Sequence, residues 1–463
     1  MLSQQGALAQ VKDVLWPALK AERERVAQID KWYRWDHDSP HMPQGATREY
    51  KQLAENAQAP WGRRVVTAVT DQLYVEGYRG NGNGDNSAPW GFWQANGLDA
   101  RQIPVHDAAI AYGLAYVTVL PGQNHAGARM PVIRGLDPSE MITVYADPAW
   151  DDWPALALRA RPAKVAGKPG YTLDLYDDEV IHRLLCDANG EDLEWVTYDE
   201  HNAGVCPVVR FANNLDLRGR ADGEVEPFIP LLGRIDQTTF DRLVVQRFGA
   251  WVVRFITGMT PPDGLPDEEH EEWRRRIAMT LKVSDILMTE DSDAKVGSLP
   301  ATALDGFISA HDADVRALAA VSQTPVHELI GQMANLSADA LASAEASLTR
   351  KIERRKHSLG EAWEQTLRLG ALVMGDLAAA DDTGSQVTWK DMESRSLAQA
   401  ADALGKIAQM LQVPVELLWE KIPGWTQQDV ERAKTLAEQG GGLEALMREL
   451  ASGQTPPAPD PTA

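Results

Sequence analysis

Between Pro325 and Pro414 the chain carries no proline, and from Ser337 to about Ala379 its residues follow a helical pattern. Unbroken, that stretch is a rod of roughly 60 Å. A single small domain cannot enclose such a rod, so its faces need cover from a larger fold or from other chains. Ser337 is placed to cap the helix, and Asp339 in the first turn opposes its dipole. Gly360 and Gly370 are the expected bend points, each costing about 1 kcal/mol relative to alanine.

The rod begins smooth with Ala and Ser and then turns basic. "RKIERRK" (350–356) holds five bases against one acid. Arg350 with Arg354, and Lys351 with Arg355, stand at i, i+4 spacing along the helix, and Lys356 follows them. Two readings stay open: a solvated helix balanced by acids on a neighbouring element, or contact with phosphates or an acidic neighbouring subunit. The surroundings are acidic, with 67 acids against 45 bases and a formal net charge of -22. That balance disfavours a protein that grips nucleic acid by neutralising phosphates.

At 463 residues, 44% hydrophobic and 24% charged, the chain has room for two or three domains and a sizeable core. Its two cysteines, Cys186 and Cys206, are too few for a four-ligand zinc site and give no disulfide framework, which points to a reducing compartment. The N-terminus lacks a basic stretch followed by an apolar core, and reads as an amphipathic helix rather than a secretory signal. The most apolar window, 243–258, is interrupted by Arg247 and Arg254 and falls short of the roughly 20 residues a spanning helix needs, so no membrane span is expected.

Residues 1–80 read as largely helical, with Val65, Val66, Val69 and Leu73 at helical spacing, up to the Gly/Asn run "GNGNGDNSAP". From about 105 to 212 the pattern changes to short β-branched or alternating runs, "AYVTVL", "MITVYA", "ALALRARP", "YTLDLYD" and "VCPVVRFA", separated by Pro, Gly and Asp. From Glu224 the chain turns helical again; Pro227 and Pro230 suit only a first turn, and the pattern from Pro230 to Thr257 implies about 40 Å. A Pro- and acid-rich break leads to a short helix near 267–280, a strand pair within 284–300, and a helix from about Leu304 to Val321. Past the rod come a strand "QVTWKD" (386–391), a capping box at "SLAQ" (396–399), short helices at 397–411, 414–422 and 427–438, and a Pro-rich tail expected to be disordered.

A search for catalytic chemistry comes back almost empty. His327-Glu328 begins like a zinc-protease helix, but Gly331 stands where the second histidine belongs. His106-Asp107 and His311-Asp312 define no triad and read as surface histidines. "GNGNG" lacks the Lys-Ser/Thr of a phosphate loop. The acidic runs "DDW" (151–153) and "DEEHEE" (267–272) read as solvated charge, so neither metal nor cofactor is expected. Two other classes stay open: a metal-dependent DNA-processing enzyme such as a nuclease, which needs carboxylates converging on metal ions, and a helical scaffold or adaptor of a capsid.

Taken in order, the blocks "NAQAPWGRRVVTAVTDQLYVEGYR", "HDAAIAYGLAYVTVLPG", "HNAGVCPVVRFANN", "GEVEPFIPLLGRIDQTTFDRLVVQRFGAWVVRFITGM", "AVSQTPVHELIGQMANLSADALASAEASLTRKIERRK" and "VPVELLWEKIPGWTQQDVERAK" resemble phage portal proteins of the siphovirus type, particularly those of actinobacterial phages, over about residues 25–440. "WYRWDHDSPHMP" departs from the pattern by lacking a glycine often found there. The resemblance implies an α+β portal fold: an N-terminal α+β wing at 1–223, a first stem helix at 224–258, a small α/β clip at 259–303, and a second stem helix at 304–324. It further implies a tunnel loop at 325–336, a long kinked helix with a returning wing strand at 337–393, a helical crown at 394–440, and a flexible tail at 441–463.

The function so implied is non-enzymatic: a dodecameric ring at one capsid vertex of the virion, assembled in the host cytoplasm, that serves DNA packaging, retention and ejection. Double-stranded DNA passes through it without sequence recognition. The large terminase subunit, head-completion or adaptor proteins, and the major capsid and scaffolding proteins are its expected partners. Gln332, Met333 and Asn335 would face the channel; Arg350, Lys351, Arg354, Arg355 and Lys356 would touch phosphates or a neighbouring subunit; Glu268, Glu269 and Glu271 would form the docking edge of the clip. An acidic wall suits sliding DNA, because each phosphate held by a fixed base adds a salt-dependent grip.

Overall fold

The computed structural model describes residues 2–42, 44–80, 87–201, 203–249, 254–257, 271, 295–298, 303–331, 338–392, 397–422, 424–425 and 427–438. The fold is α+β. In chain order it runs through α1 (Gln4–Gln10), a π-helical turn (Val11–Leu15), α2 (Trp16–Tyr33), α3 (Arg48–Ala57), α4 (Trp61–Thr70), β1 (Val75–Arg79), α5 (Ser87–Ala95) and α6 (Leu98–Tyr112). Eight strands follow: β2 (Leu114–Gln123), β3 (Arg129–Leu136), β4 (Met141–Val144), β5 (Leu156–Val165), β6 (Lys168–Tyr176), β7 (Val180–Asp187), β8 (Glu194–Glu200) and β9 (Val208–Ala212). Then come α7 (Ile229–Gly249), β10 (Arg254–Thr257), β11 (Lys295–Ser298), α8 (Asp305–Ser322), α9 (Val326–Ile330) and α10 (Ala338–Met374). The described residues end with α11 (Leu377–Ala380), β12 (Gln386–Trp389), α12 (Leu397–Leu411), α13 (Val415–Leu418) and α14 (Gln427–Glu438).

These elements form two units, one from Met1–Val26, Thr67–Gly223 and Arg350–Ala463, the other from Ala27–Val66 and Glu224–Thr349. The first unit is built on an antiparallel sheet ordered β4-β5-β6-β7-β8. Because side chains alternate across a strand, Leu158, Ala160, Leu173, Leu175, Leu184 and Cys186 share one face, covered by Ala7, Val11, Leu15 and Leu19 of the N-terminal helices. Ala157, Tyr176 and Ile181 on the opposite face meet Tyr116, Leu136 and Val208 of a smaller sheet ordered β3-β2-β9. Each fully buried Leu or Ile contributes about 1.5–3 kcal/mol. Gly113, at φ +95, turns α6 into β2; a Cβ there would stand 2.3 Å from the carbonyl oxygen of Ala221, so only glycine fits.

The C-terminal half of α10 is the core rod of this unit. Leu359, Trp363, Leu367 and Leu369 are fully buried, and Trp363 lies edge-on to Trp93 and Phe211 at ring separations of 4.9 and 4.6 Å. The helix passes through Gly360 and Gly370 without interruption. At both glycines the neighbouring chain lies close: Trp389 and Val387 of β12 stand 3.4 Å from where a Cβ of Gly360 would be. β12 pairs antiparallel with β1, Tyr78 opposite Val387, and Glu364 accepts the amide of Val387 at 3.0 Å.

The second unit packs α3 on α7, with Ala54 and Ala57 against Phe240, and α7 on α8, where Arg234 pairs with Asp314 at 2.9 Å. His37 Nε2 lies 2.7 Å from Asp236 of α7, and both side chains are buried. Trp32 stacks on the His37 ring at 3.7 Å. Burial pushes the Asp236 carboxyl above its usual range, and the His37 bond pulls it part of the way back. These contacts account for a difference from the expected division: residues 27–66 fold with the helices after Glu224 rather than with the sheets.

A second difference concerns the helix expected to reach Thr257. α7 is described as far as Gly249, and Arg254–Thr257 is a strand paired antiparallel with Lys295–Ser298. The run Phe255, Ile256, Thr257 is aromatic and β-branched, which favours a pleated strand over a helix. Lys295–Ser298 thus pairs across the 258–294 segment; the rest of the strand pair expected within 284–300 lies outside the described residues. The short helix expected near 267–280 lies outside the described residues apart from Glu271, which is helical and exposed.

Candidate functional site

Gln332, Met333 and Asn335, the residues expected to face a channel, lie outside the described residues, as do Glu268 and Glu269. The flanks of the 332–337 segment are described. α8 ends at Ser322; the next residue, Gln323, turns the chain with a φ of +57, and the Ser322 hydroxyl meets that of Thr324 at 3.1 Å. Pro325 then starts the single turn of α9, and Gly331, at φ +70, ends it.

Two contacts fix α9 in place. Arg64 of α4 donates from Nε to the carbonyl oxygen of Glu328 at 3.1 Å, and its Nη2 bonds the Glu328 carboxylate. One guanidinium thus holds both the backbone and the side chain of one residue, a two-point grip that a lysine cannot reproduce. On the other side, His327 Nε2 approaches Glu345 of α10 at 3.6 Å. α9, immediately before the 332–337 segment, is therefore tied to α4 and, past that segment, to the start of α10. Sequence reading missed Arg64, since nothing local links it to a residue 264 positions away.

The basic segment does not present one basic face. Arg350 and Arg354 are exposed, and Arg354 Nη2 donates to Asn214 Oδ1 at 3.3 Å. Lys351 and Arg355 are only 6% and 8% exposed. Lys356 pairs with Glu353 one turn away at 3.0 Å. The two i, i+4 rows read from the sequence thus separate into an outer row, 350 and 354, and an inner row, 351 and 355.

Among the described residues, no group of three or more His, Cys, Asp or Glu is placed to hold a metal ion. No helix among them is long and apolar enough to cross a membrane. His106, expected on the surface, is 1% exposed and bridges two parts of the core. Its Nδ1–H donates to the Leu73 carbonyl at 3.1 Å, while its Nε2 accepts the indole N–H of Trp363 at 2.8 Å. Burial lowers its pKa to about 4. A histidine so held is neutral at physiological pH, with both nitrogens used in packing.

The described fold is α+β, with one long helix, α10, whose C-terminal half is the core rod of the first unit. The sequence model of the family phage portal protein, SPP1 Gp6-like, matches residues 12–441, and the chain belongs to that family. It is a structural portal subunit of a phage capsid vertex. It is 27% identical over 415 residues to the portal protein of Mycobacterium phage L5, covering 86% of this chain and 82% of that one. Over 366 residues it is 27% identical to the portal protein of Mycobacterium phage D29, covering 76% and 72%. Among solved structures, a chain from the neck of a native GTA particle, computed with C12 symmetry, shares 12% identity over 84% of this chain and 98% of its own, with a TM-score of 0.45. An HK97 family phage portal protein from Corynebacterium diphtheriae shares 11% over 76% and 96%, with a TM-score of 0.35.

Proposed function

We propose that copies of this chain close into a ring, a dodecamer, whose channel passes double-stranded DNA during packaging, retention and ejection, and that the chain has no catalytic activity of its own. The observation that carries this reading is the family match across residues 12–441. The net charge of -22 suits a wall along which DNA slides, because few fixed bases grip its phosphates. In this reading 325–336 holds the tunnel loop, and α7 and α8 are the stem helices. The segment closed at its base by β10 and β11 is the clip, on which the large terminase subunit and later the head-completion proteins dock. The sheets and N-terminal helices of the first unit form the wing, toward capsid and scaffolding proteins, and α12 to α14 the crown. The particle assembles in the host cytoplasm. Arg350, Arg354 and Lys356 are the bases left for phosphate or intersubunit contact; Lys351 and Arg355 are buried.

The test is an in vitro packaging reaction with purified procapsids, terminase and ATP, with and without this chain, beside an incubation of the chain alone with DNA and magnesium. Packaging that depends on the chain, with intact DNA in the second tube, supports the reading. Cleavage by the chain alone, in a form that is monomeric at every salt concentration, overturns it in favour of a nuclease.

A further inference from the structure

A recess of about 590 Å³ lies in the first unit between α6 and β3, the edge strand of its sheet. Leu98 and Val105 of α6 and Val132 of β3 give it an apolar lining, and Arg101, Arg134 and Arg159 bring three guanidinium groups to it. Asp137 is the one acid on its wall, and its Oδ1 accepts the amide of Ser139. Arg159 holds Glu140 through Nη2 at 3.1 Å, but its buried Nε–H has no acceptor among the described residues. Arg101 donates from Nη1 to the Asn96 carbonyl at 2.8 Å. Arg134 is exposed and makes neither a hydrogen bond nor an ion pair among the described residues. A cationic, half-apolar recess in a chain of net charge -22 calls for a ligand with carboxylates beside apolar side chains.

The same unit presents such a surface. β8 is the edge of the five-stranded sheet and, among the described residues, pairs only with β7. It exposes Glu194, Glu200, Val196 at 50% and Tyr198 at 43%, while Asp199 is held by Arg183 at 2.9 Å. An edge strand with open backbone groups and exposed apolar side chains is a surface that proteins usually cover. Arg159 sits on β5, and β6 and β7 separate it from β8, about 14 Å of strand spacing. One copy therefore cannot seat its own β8 in its own recess.

We propose that the recess at Arg101, Arg134 and Arg159 of one copy receives the acidic, apolar β8 edge of the next copy around the ring. The inference rests on the ring reading above and names a contact within it. Two different patches of opposite charge make a head-to-tail contact, the kind that closes rings, whereas a two-fold dimer needs one self-complementary patch.

Charge exchange tests it. One chain carries Arg101→Glu with Arg134→Glu, a second carries Glu194→Lys with Glu200→Lys, and a third carries all four changes. Ring yield is read by light scattering after size exclusion and by negative-stain microscopy, with thermal melts as the folding control. Each two-site chain alone is expected to lose ring yield about tenfold or more. An equal mixture of the two restores it by alternating copies, and the four-site chain restores it alone. Two-site chains that form rings like wild type overturn the contact, as does a four-site chain that melts normally yet makes none. Normal rings that fail to enter procapsids assign the recess to a different acidic partner and also overturn it. A wild-type chain that forms no ring overturns the ring reading itself, a result separate from wild-type rings indifferent to charge.

Discussion

Trp363 donates its indole N–H to Nε2 of His106 across 2.8 Å, joining residues 257 apart in sequence inside the first unit. Through the second nitrogen of His106 the same link reaches the carbonyl of Leu73, just before β1. The long helix, α6 and the β1–β12 pair are held by one neutral imidazole, so its removal has a measurable signature. His106→Leu leaves the Trp363 N–H buried without an acceptor, at a cost of about 1–3 kcal/mol. Trp363→Phe opens space and removes the donor as well. A double-mutant cycle by urea unfolding is expected to show coupling of about 0.5–3 kcal/mol; strictly additive losses would show that the bond contributes nothing.

The pH dependence follows from the same residue. With its pKa lowered to about 4 in the folded chain, against about 6.5 unfolded, the unfolded state binds the extra proton in between. The contribution is fully present above pH 6.5 and is lost as pH falls toward 4, to a limit of about 3 kcal/mol. Burial also lowers His201, with the same sign. His106→Gln keeps a donor and an acceptor but does not titrate, so it should lose less stability between pH 7 and pH 4.5 than wild type does. Parallel losses in the two proteins would count against this assignment.

Arg64 and Glu328 are each more than a third exposed on their side chains, so the ion pair itself adds less than about 1 kcal/mol to global stability. Its effect should be local. Arg64→Ala is expected to leave the melting temperature nearly unchanged while speeding hydrogen exchange of the amides in 326–331. Arg64→Lys should behave like Arg64→Ala, because a lysine cannot hold the carbonyl and the carboxylate together. Exchange rates equal to wild type in both variants would remove the clamp from the account.

Substitutions on either side of Ser337 should separate assembly from transport. Gln332→Arg with Asn335→Arg adds phosphate contacts in the proposed tunnel loop, so rings should form normally while packaging slows or becomes more salt-dependent. Ala344, exposed on α10 in the single chain, is proposed to meet a neighbouring copy; Ala344→Glu forces a charge into that contact and should lower ring yield. Ring yield by microscopy and nuclease-protected DNA are measured on the same preparations. Loop variants without rings, beside a normally assembling Ala344 variant, would reverse both roles.

Local pattern carried a large part of the fold. All five alternating runs between 105 and 212 became strands, and the boundaries of α8, α12 and α14 fell within a residue or two of those expected. Three further strands between 105 and 212 went unread: β3, with Pro131 and Gly135 in its eight residues, and β8, with mostly exposed side chains, give weak periodic signals, and β7 (Val180–Asp187) was not picked out. The helix expected to reach Thr257 was misjudged because an apolar run alone cannot distinguish helix from strand. Of the candidate site, the basic segment was visible but its division was not, since which row of a helix is buried depends on what packs against it. His106 and Arg64 were opaque for the same reason: their roles come from partners hundreds of residues away.

The central claim is that this chain is one subunit of a DNA-conducting ring. Electron microscopy of the purified protein, with class averages viewed down the symmetry axis and particle mass measured on the same sample, tests it most directly. The account predicts annular particles with a central channel and the mass of twelve chains. A uniform population of single chains across all salt and protein concentrations, with no rings recovered from capsids, would contradict it.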